Sequence, residues 1–530
     1  MKRVRSSKWP PKINIKVVYA NLKQYDNLDN MVLDKYSVDL TNIFITADGK
    51  YLIHDPPVSD YELEEISNKA SDLLFLIPDN VPLREDELRK IINDFFGNEK
   101  YSYLLMRELI GYSALYPAIK DPYVEDIQIP GPSTPARIMH SLYGPLISNI
   151  VFNESELDSL VERLVHISGK SVSIYQPMLS VRLPDGHRLT VTYKREIGYK
   201  GSTITIRKFP ERPWSITMLL EKNTINPLVA AWLMLLIERR KAILVTGAMG
   251  TGKTSLINAL TNMIPERASV ITIEDTPELK LAHPYWIPLI TRESYSLDER
   301  GTIDMFKLVK HALRMSADYI IIGEVRGEEA RIWANALLSG HGGLTSFHAE
   351  SAISSVQRLI SDPLKVEPGS LIALRNIVVL RRLTVRREDK GFERKLFLRR
   401  IVDVYDLEIN GRNVILNRLF HYNIKSDRLE VVSIDKLLNT YTARMIMDET
   451  GWSKSELLEN LMFRAKFIEY LRREAKLHNE LYDYRVVTQM FWKFYEDQHQ
   501  FKNVENIELE LYECNKESIE RVSLEATRND

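Results

Sequence analysis

The chain has a single cysteine, Cys514, among 530 residues. One thiol closes no internal disulfide and completes no cysteine-cluster zinc site. Both exclusions fit a reducing compartment. Long apolar runs are missing too. The longest, Leu228 to Ile237 (LVAAWLMLLI), has ten residues, where a bilayer-spanning helix needs about 20. The first residues, MKRVRSSKWPPKINIK, are basic, but Pro10 and Pro11 interrupt them and no apolar core follows. No secretory signal is expected there. Charge of one sign is not in excess: 71 Lys and Arg face 72 Asp and Glu, for a net charge of −1. That balance excludes a uniformly basic nucleic-acid coat and a strongly acidic disordered chain. With 22 glycines and 23 prolines, collagen-like or linker-dominated composition is excluded as well. The expectation is a soluble, cytoplasmic protein of roughly two to four domains, reaching any membrane through a partner.

The even balance hides segregation. Six basic residues and no acidic one fall in the first sixteen positions. Between Arg375 and Arg400 there are ten basic and three acidic residues around the turn-like EDKG at 388–391, which reads as a basic hairpin. From Val504 onward, eight acidic residues face three basic ones in what reads as a marginal tail.

Organisation follows from local pattern. NIFIT (43–47) and KYLIH (50–54) flank Asp48-Gly49 and read as a hairpin. Asn153 with Glu156 offers a capping box, and Gly169 a helix stop. SVRLPDGHRLTVTY (180–193) and GSTITIRKF (201–209) alternate at period two and read as strands. From Asn226-Pro227, an N-cap and first-turn proline, strands and helices alternate, the mark of an α/β domain with a mostly parallel sheet. KAILVTG (241–247), ASVITIE (268–274) and YIIIGE (319–324) are its buried strands. The boundaries expected are 1–90, poorly constrained; 91–209, a smaller α+β domain; 210–225, a linker; 226–503, the α/β domain with its hairpin and C-terminal helices; and 504–530, the tail. One of those helices opens on the capping box Ser453…Glu456.

The chemistry is concentrated in GAMGTGKT, Gly247 to Thr254, which fits G-x-x-x-x-G-K-[ST] between a strand and a helix. Backbone N–H groups of Gly247, Ala248, Met249, Gly250, Thr251, Gly252 and the helix start at Ser255 would wrap phosphate oxygens. Lys253 would neutralise the β- and γ-phosphates of ATP, and Thr254 would offer its hydroxyl to Mg²⁺. Glu274, Asp275 and Glu324 close strands, where ligands collect in open α/β sheets. Glu274 and Glu324 are the candidates for polarising the attacking water and for holding Mg²⁺ through water; a plain capping role is the alternative. Gly323 stands where an aspartate usually precedes such a glutamate. His341 and His348, in SGHGGLTSFHA (339–349), read as a phosphate-sensing loop rather than a metal pair.

The succession GAMGTGKT, VITIEDTPEL (270–279), LRMSADYIIIGEVRG (313–327) and SGHGGLTSFHA resembles the Walker A, Asp, Walker B and His boxes of the type II/IV secretion ATPase family. LIGYSALYPAIKDPYVEDIQIPG (109–131), RLPDGHRLT (182–190) and GSTITIRKF resemble its archaeal branch, which includes pilus-assembly and archaellum motor ATPases. Departures are Ser113 and Tyr116, where Gly and Asp are usual, and Ser180, in place of an acidic residue.

The resemblance implies a RecA-like ATPase domain preceded by a smaller domain that lends Arg188 and Arg207 to the nucleotide. Arg314 and Arg326 would act across a subunit boundary or form structural ion pairs. It further implies a homo-hexamer, associated peripherally with the membrane through a polytopic platform protein, that powers assembly of a pilus-like filament or secretion. The archaellum motor is the alternative within the family, and a DNA translocase the alternative outside it. Near-zero net charge and the lack of a basic-aromatic stripe argue against tight nucleic-acid binding.

Overall fold

The computed structural model describes residues 32–73, 85–210, 212–292, 301–389, 392–411, 413–509 and 519–523. The basic start, Cys514 and most of the acidic tail lie outside these residues. The chain divides into two compact units. One comprises residues 1–210 with 384–397, and the other 211–383 with 398–530.

The first unit is built on a sheet of nine described strands. They are β1 (Val32–Val38), β2 (Thr41–Thr46), β3 (Lys50–His54), β4 (Val124–Ile129), β5 (Arg137–His140), β6 (Gly144–Ser148), β7 (Met178–Arg182), β8 (Arg188–Thr192) and β9 (Thr203–Arg207). Their order is β1-β2-β3-β6-β5-β4-β9-β8-β7. Every pairing is antiparallel except β3 with β6. Residues 32–54 thus share one sheet with residues 124–207, across the boundary expected near residue 90. Helix Glu154–Ile167 starts on the expected capping box, Asn153 with Glu156, and buries Leu157, Leu160, Val161 and Leu164.

The departure at Ser113 has a physical reading. Its φ is 50°, in the left-handed region that glycine enters without cost. The strain is offset locally: the Ser113 hydroxyl donates to Glu108 at 3.0 Å, and its carbonyl accepts from buried Arg107 at 3.2 Å.

The second unit carries a sheet of ten described strands. They are β10 (Ala242–Thr246), β11 (Val270–Glu274), β12 (Trp286–Ile290), β13 (Tyr319–Glu324), β14 (Gly342–Phe347), β15 (Leu374–Asp389), β16 (Phe392–Asn410), β17 (Asn413–Asn423), β18 (Arg428–Val431) and β19 (Ile519–Ser523). The order is β12-β11-β13-β14-β10-β15-β16-β17-β18, with β19 on β17. From β12 to β15 the pairs are parallel, and β16 to β18 are antiparallel. β10, β11 and β14 are buried along their whole length, as a parallel sheet covered by helices requires. The α/β expectation for this region holds.

The ten-residue apolar run is the core of helix Pro227–Glu238, with Leu228 to Ile237 all buried. Among the described residues, no helix is long and apolar enough to cross a membrane. Three details differ from the expectations. The segment 210–225 is not only a connection: Ser215 caps a helix at Ile216–Glu221, whose Ile216, Leu219 and Leu220 enter the core. Within the acidic tail, residues 519–523 form β19. The glycine-rich SGHGGLTSFHA is no loop, since Gly342–Phe347 form central strand β14. The two glycines let neighbours close in: a Cβ at Gly342 would lie 2.4 Å from the Tyr319 ring, and one at Gly343 2.4 Å from Leu337.

One buried acid makes stability depend on pH. Asp406, on β16, is fully buried. Burial pushes its carboxyl up to about 7, against the pull of Thr442 and Arg375. An acid whose folded pKa exceeds its unfolded value of 3.8 binds more protons when folded between those values, so stability falls as pH rises across that window. The melting temperature is expected to fall between pH 5 and pH 8. Asp406→Asn should flatten that slope, with a difference of roughly 1–4 kcal/mol across the range. Parallel slopes in thermal melts of the two proteins would refute the assignment.

Candidate functional site

The phosphate loop leaves the carboxyl end of β10 and enters helix Lys253–Thr261. Gly250 (φ 73°) and Gly252 (φ 93°) hold left-handed backbone that gives the loop its turn. At Gly247 the constraint is space: a Cβ there would lie 2.5 Å from the Leu380 carbonyl oxygen and 2.7 Å from the Thr251 hydroxyl. That hydroxyl donates to the Ala248 carbonyl at 2.9 Å, drawing the loop together. Gly252 caps the helix without a side chain. The first-turn N–H groups therefore form the donor array and positive dipole end that an anion needs.

Lys253 is buried. Its ammonium donates to the carbonyls of Gly247 at 2.9 Å and Ala248 at 3.0 Å, and lies 3.1 Å from His348 Nδ1. Parallel pairing creates this meeting, because Thr246 of β10 stands opposite Phe347 of β14. His348 Nε2 lies 2.9 Å from Glu324 Oε1. Arg326 donates to the other oxygen, Oε2, at 2.6 Å. Burial, then the neighbouring ammonium, pulls the His348 pKa below its usual value. The ring is neutral, accepting at Nδ1 from the ammonium, with Nε2 lying beside the carboxylate. Lys253, His348, Glu324 and Arg326 form one continuous polar chain across the strand ends.

Glu274 closes β11 and is buried. Its Oε1 accepts from the backbone N–H groups of Glu278 and Leu279, each at 3.0 Å, so this carboxylate holds its own loop. It also accounts for Gly323. A Cβ at 323 would lie 3.0 Å from Glu274 Cγ, so Glu274 fills the space an aspartate would take. For Mg²⁺ the donor chemistry fits: the half-buried Thr254 hydroxyl and the Glu324 carboxylate are hard oxygen ligands. Mg²⁺ retains waters and takes few protein ligands.

The histidines separate. His341 precedes β14, and its Nδ1 lies 2.9 Å from the Ala336 carbonyl oxygen. His348 follows the same strand, roughly 20 Å away at ~3.3 Å per residue. Only His348 joins the phosphate loop. Arg314 is exposed after helix Met305–Ala312 and is not brought to Lys253 or Glu324 by any described contact.

In the first unit, Arg188 and Arg207 are direct cross-strand partners on β8 and β9. Arg182 of β7 stands opposite Arg188, which makes a row of three arginines on one sheet face. Arg188 Nε donates to the Ser180 hydroxyl at 3.2 Å, and Arg207 pairs with Asp126 at 3.0 Å. Like charges set side by side on a sheet are destabilising unless an anion joins them. Arg182 was missed in the sequence; its signal was a position symmetric to Arg188 about the Asp185-Gly186 turn.

A phosphate loop at the carboxyl end of a parallel sheet, with a lysine, a glutamate and a histidine converging on it, defines a P-loop nucleotide-binding protein. The family of type II/IV secretion system proteins matches residues 151–424, and the chain belongs to that family. It is 33% identical over 407 residues to an uncharacterized protein of Methanocaldococcus jannaschii, covering 75% of this chain and 70% of that one. A second protein of that organism is 27% identical, and the matched region spans 54% of its length. The type IV secretion system protein PtlH of Bordetella pertussis is 31% identical over 225 residues, 38% of this chain and 66% of that one. Among solved structures, the VirB11 ATPase of the Brucella suis type IV secretion system is 24% identical, with a TM-score of 0.25, covering 56% of this chain and 95% of that one.

Burial holds the Lys253 pKa down to about 8 from an ordinary 10.5. A bound polyphosphate favours the ammonium and restores the higher value. Binding of ATP at pH 9, where the nucleotide's phosphates are fully ionised, is expected to take up about half a proton or more. Calorimetry in buffers of different ionisation enthalpy measures this, and binding without proton uptake would refute the assignment.

Proposed function

We propose that the chain is an ATPase that converts hydrolysis of Mg²⁺-ATP into mechanical work for a secretion or pilus-type machine. The observation that carries the reading is the polar chain from Lys253 through His348 to Glu324 at the mouth of a complete phosphate loop. Family membership supports the same class of output.

On this reading Lys253 exchanges its two loop carbonyls for phosphate oxygens. Thr254, and Glu324 through water, would hold Mg²⁺, which would supply charge neutralisation. Glu324 orients the attacking water and accepts its proton, with Arg326 holding one carboxylate oxygen and the other left open beside His348. Glu274 shapes the adjoining loop. The row of Arg182, Arg188 and Arg207 supplies cations to the phosphates; arginines in that role are worth ~10³–10⁵ in rate. Action as a homo-hexamer on a membrane platform protein, with filament subunits moved indirectly, completes the proposal. The archaellum motor is the same chemistry with a rotary output.

Lys253→Ala is expected to abolish ATP hydrolysis; unchanged phosphate release would remove the site assignment. Arg207→Ala and Arg182→Ala should lower turnover by ~10-fold or more while changing ATP affinity less. Equal losses of both would indicate a folding role. Duplex or single-stranded DNA should leave turnover unchanged. Strong stimulation that fades with added salt would favour the translocase instead.

A further inference from the structure

The basic hairpin meets the phosphate loop at its base. β15 lies parallel to β10, with Thr246 opposite Val379, and it continues past the strand end beside the phosphate loop. The Leu380 carbonyl is what crowds Gly247. Two residues on, Arg382 Nη1 lies 3.7 Å from the position a Cβ would take on Gly250. Arg399, on the neighbouring strand β16, donates from Nε to the Gly250 carbonyl at 2.9 Å, and its Cδ lies 3.4 Å from the Cβ position of Gly252. The two left-handed glycines of the loop are therefore each flanked by a hairpin arginine.

We propose that Arg399 is a positioning residue for the phosphate loop, assisted by Arg382. This rests on the ATPase reading above. A trans peptide points its C=O and N–H in opposite directions. By holding the Gly250 carbonyl on the hairpin side, Arg399 aims the Thr251 N–H away from the hairpin. Glycine at 250 and 252 leaves these peptide planes easy to flip. A flipped plane would present a carbonyl oxygen to a polyphosphate in place of an N–H donor. The bond from Arg399 selects the binding orientation before nucleotide arrives, and the two guanidiniums add positive potential at the same place. The contact acts through the phosphates alone and is indifferent to the base.

The test measures binding of AMP-PNP and of inorganic tripolyphosphate to the full chain and to Arg399→Ala, with steady-state ATPase kinetics and thermal melts alongside. Both ligands should weaken by the same factor, about tenfold, the low end for a hydrogen bond from a charged donor. KM for ATP should rise in step, with kcat within about twofold. Arg399→Lys, which keeps the charge, should recover part of the affinity. Exposed Lys395→Ala, on the same strand, should match the parent. Affinity within twofold of the parent in Arg399→Ala would overturn the proposal, and so would loss for AMP-PNP but not for tripolyphosphate. Should Arg399→Ala melt early, Arg399→Lys decides: weaker binding at the parent's melting temperature supports the proposal, and parental affinity overturns it. A parent chain that binds neither ligand would overturn the ATPase reading itself.

Discussion

The buried ammonium of Lys253 is the constraint around which the second unit's site is arranged. A buried cation is costly unless it is solvated by polar groups. Here two backbone carbonyls of its own loop and a neutral imidazole do that. Each partner fixes something else. The Gly247 and Ala248 carbonyls hold the loop in a curled form. The imidazole must accept at Nδ1, so its Nε2 side faces Glu324, whose carboxylate is held by Arg326. The solvating oxygens are weaker partners than a polyphosphate would be, so the arrangement stores a preference for an anion at the loop.

Which residues join that arrangement is decided by the parallel sheet. Strands β10, β11, β13 and β14 all present their carboxyl ends to one edge, and that brings Lys253, Glu274, Glu324 and His348 from separate segments to neighbouring positions. The glycine at 323 shows how tightly the edge is filled. A Cβ at 323 would press on the Glu274 side chain, whose carboxylate ties down the segment after β11.

Most of this edge was legible in the sequence, for physical reasons. The phosphate loop has a fixed spacing because a backbone cradle has a fixed geometry. Continuous apolar strands ending in acids announce a parallel sheet and the side on which its ligands lie. His341 was not legible in the same way. A glycine-rich segment reads as loop, but Gly342 and Gly343 are in a central strand because Tyr319 and Leu337 leave no room for a Cβ. Once β14 is a strand, the two histidines fall at opposite ends of it and only one can reach the loop. Arg182 was overlooked because its partnership with Arg188 is a matter of cross-strand register. The short helix after Ser215 was hidden by the prolines before it.

The basic hairpin illustrates what composition cannot resolve. Ten cations in a short stretch read first as a solvated sheet edge, then as a docking face and least as a nucleic-acid ribbon. Position separates them. The cations nearest the base, Arg382 and Arg399, stand beside the phosphate loop within the second unit, whereas residues 384–397 of the same two strands group with the first unit. The strand bearing Arg399 is continuous in the chain with a segment belonging to the other unit.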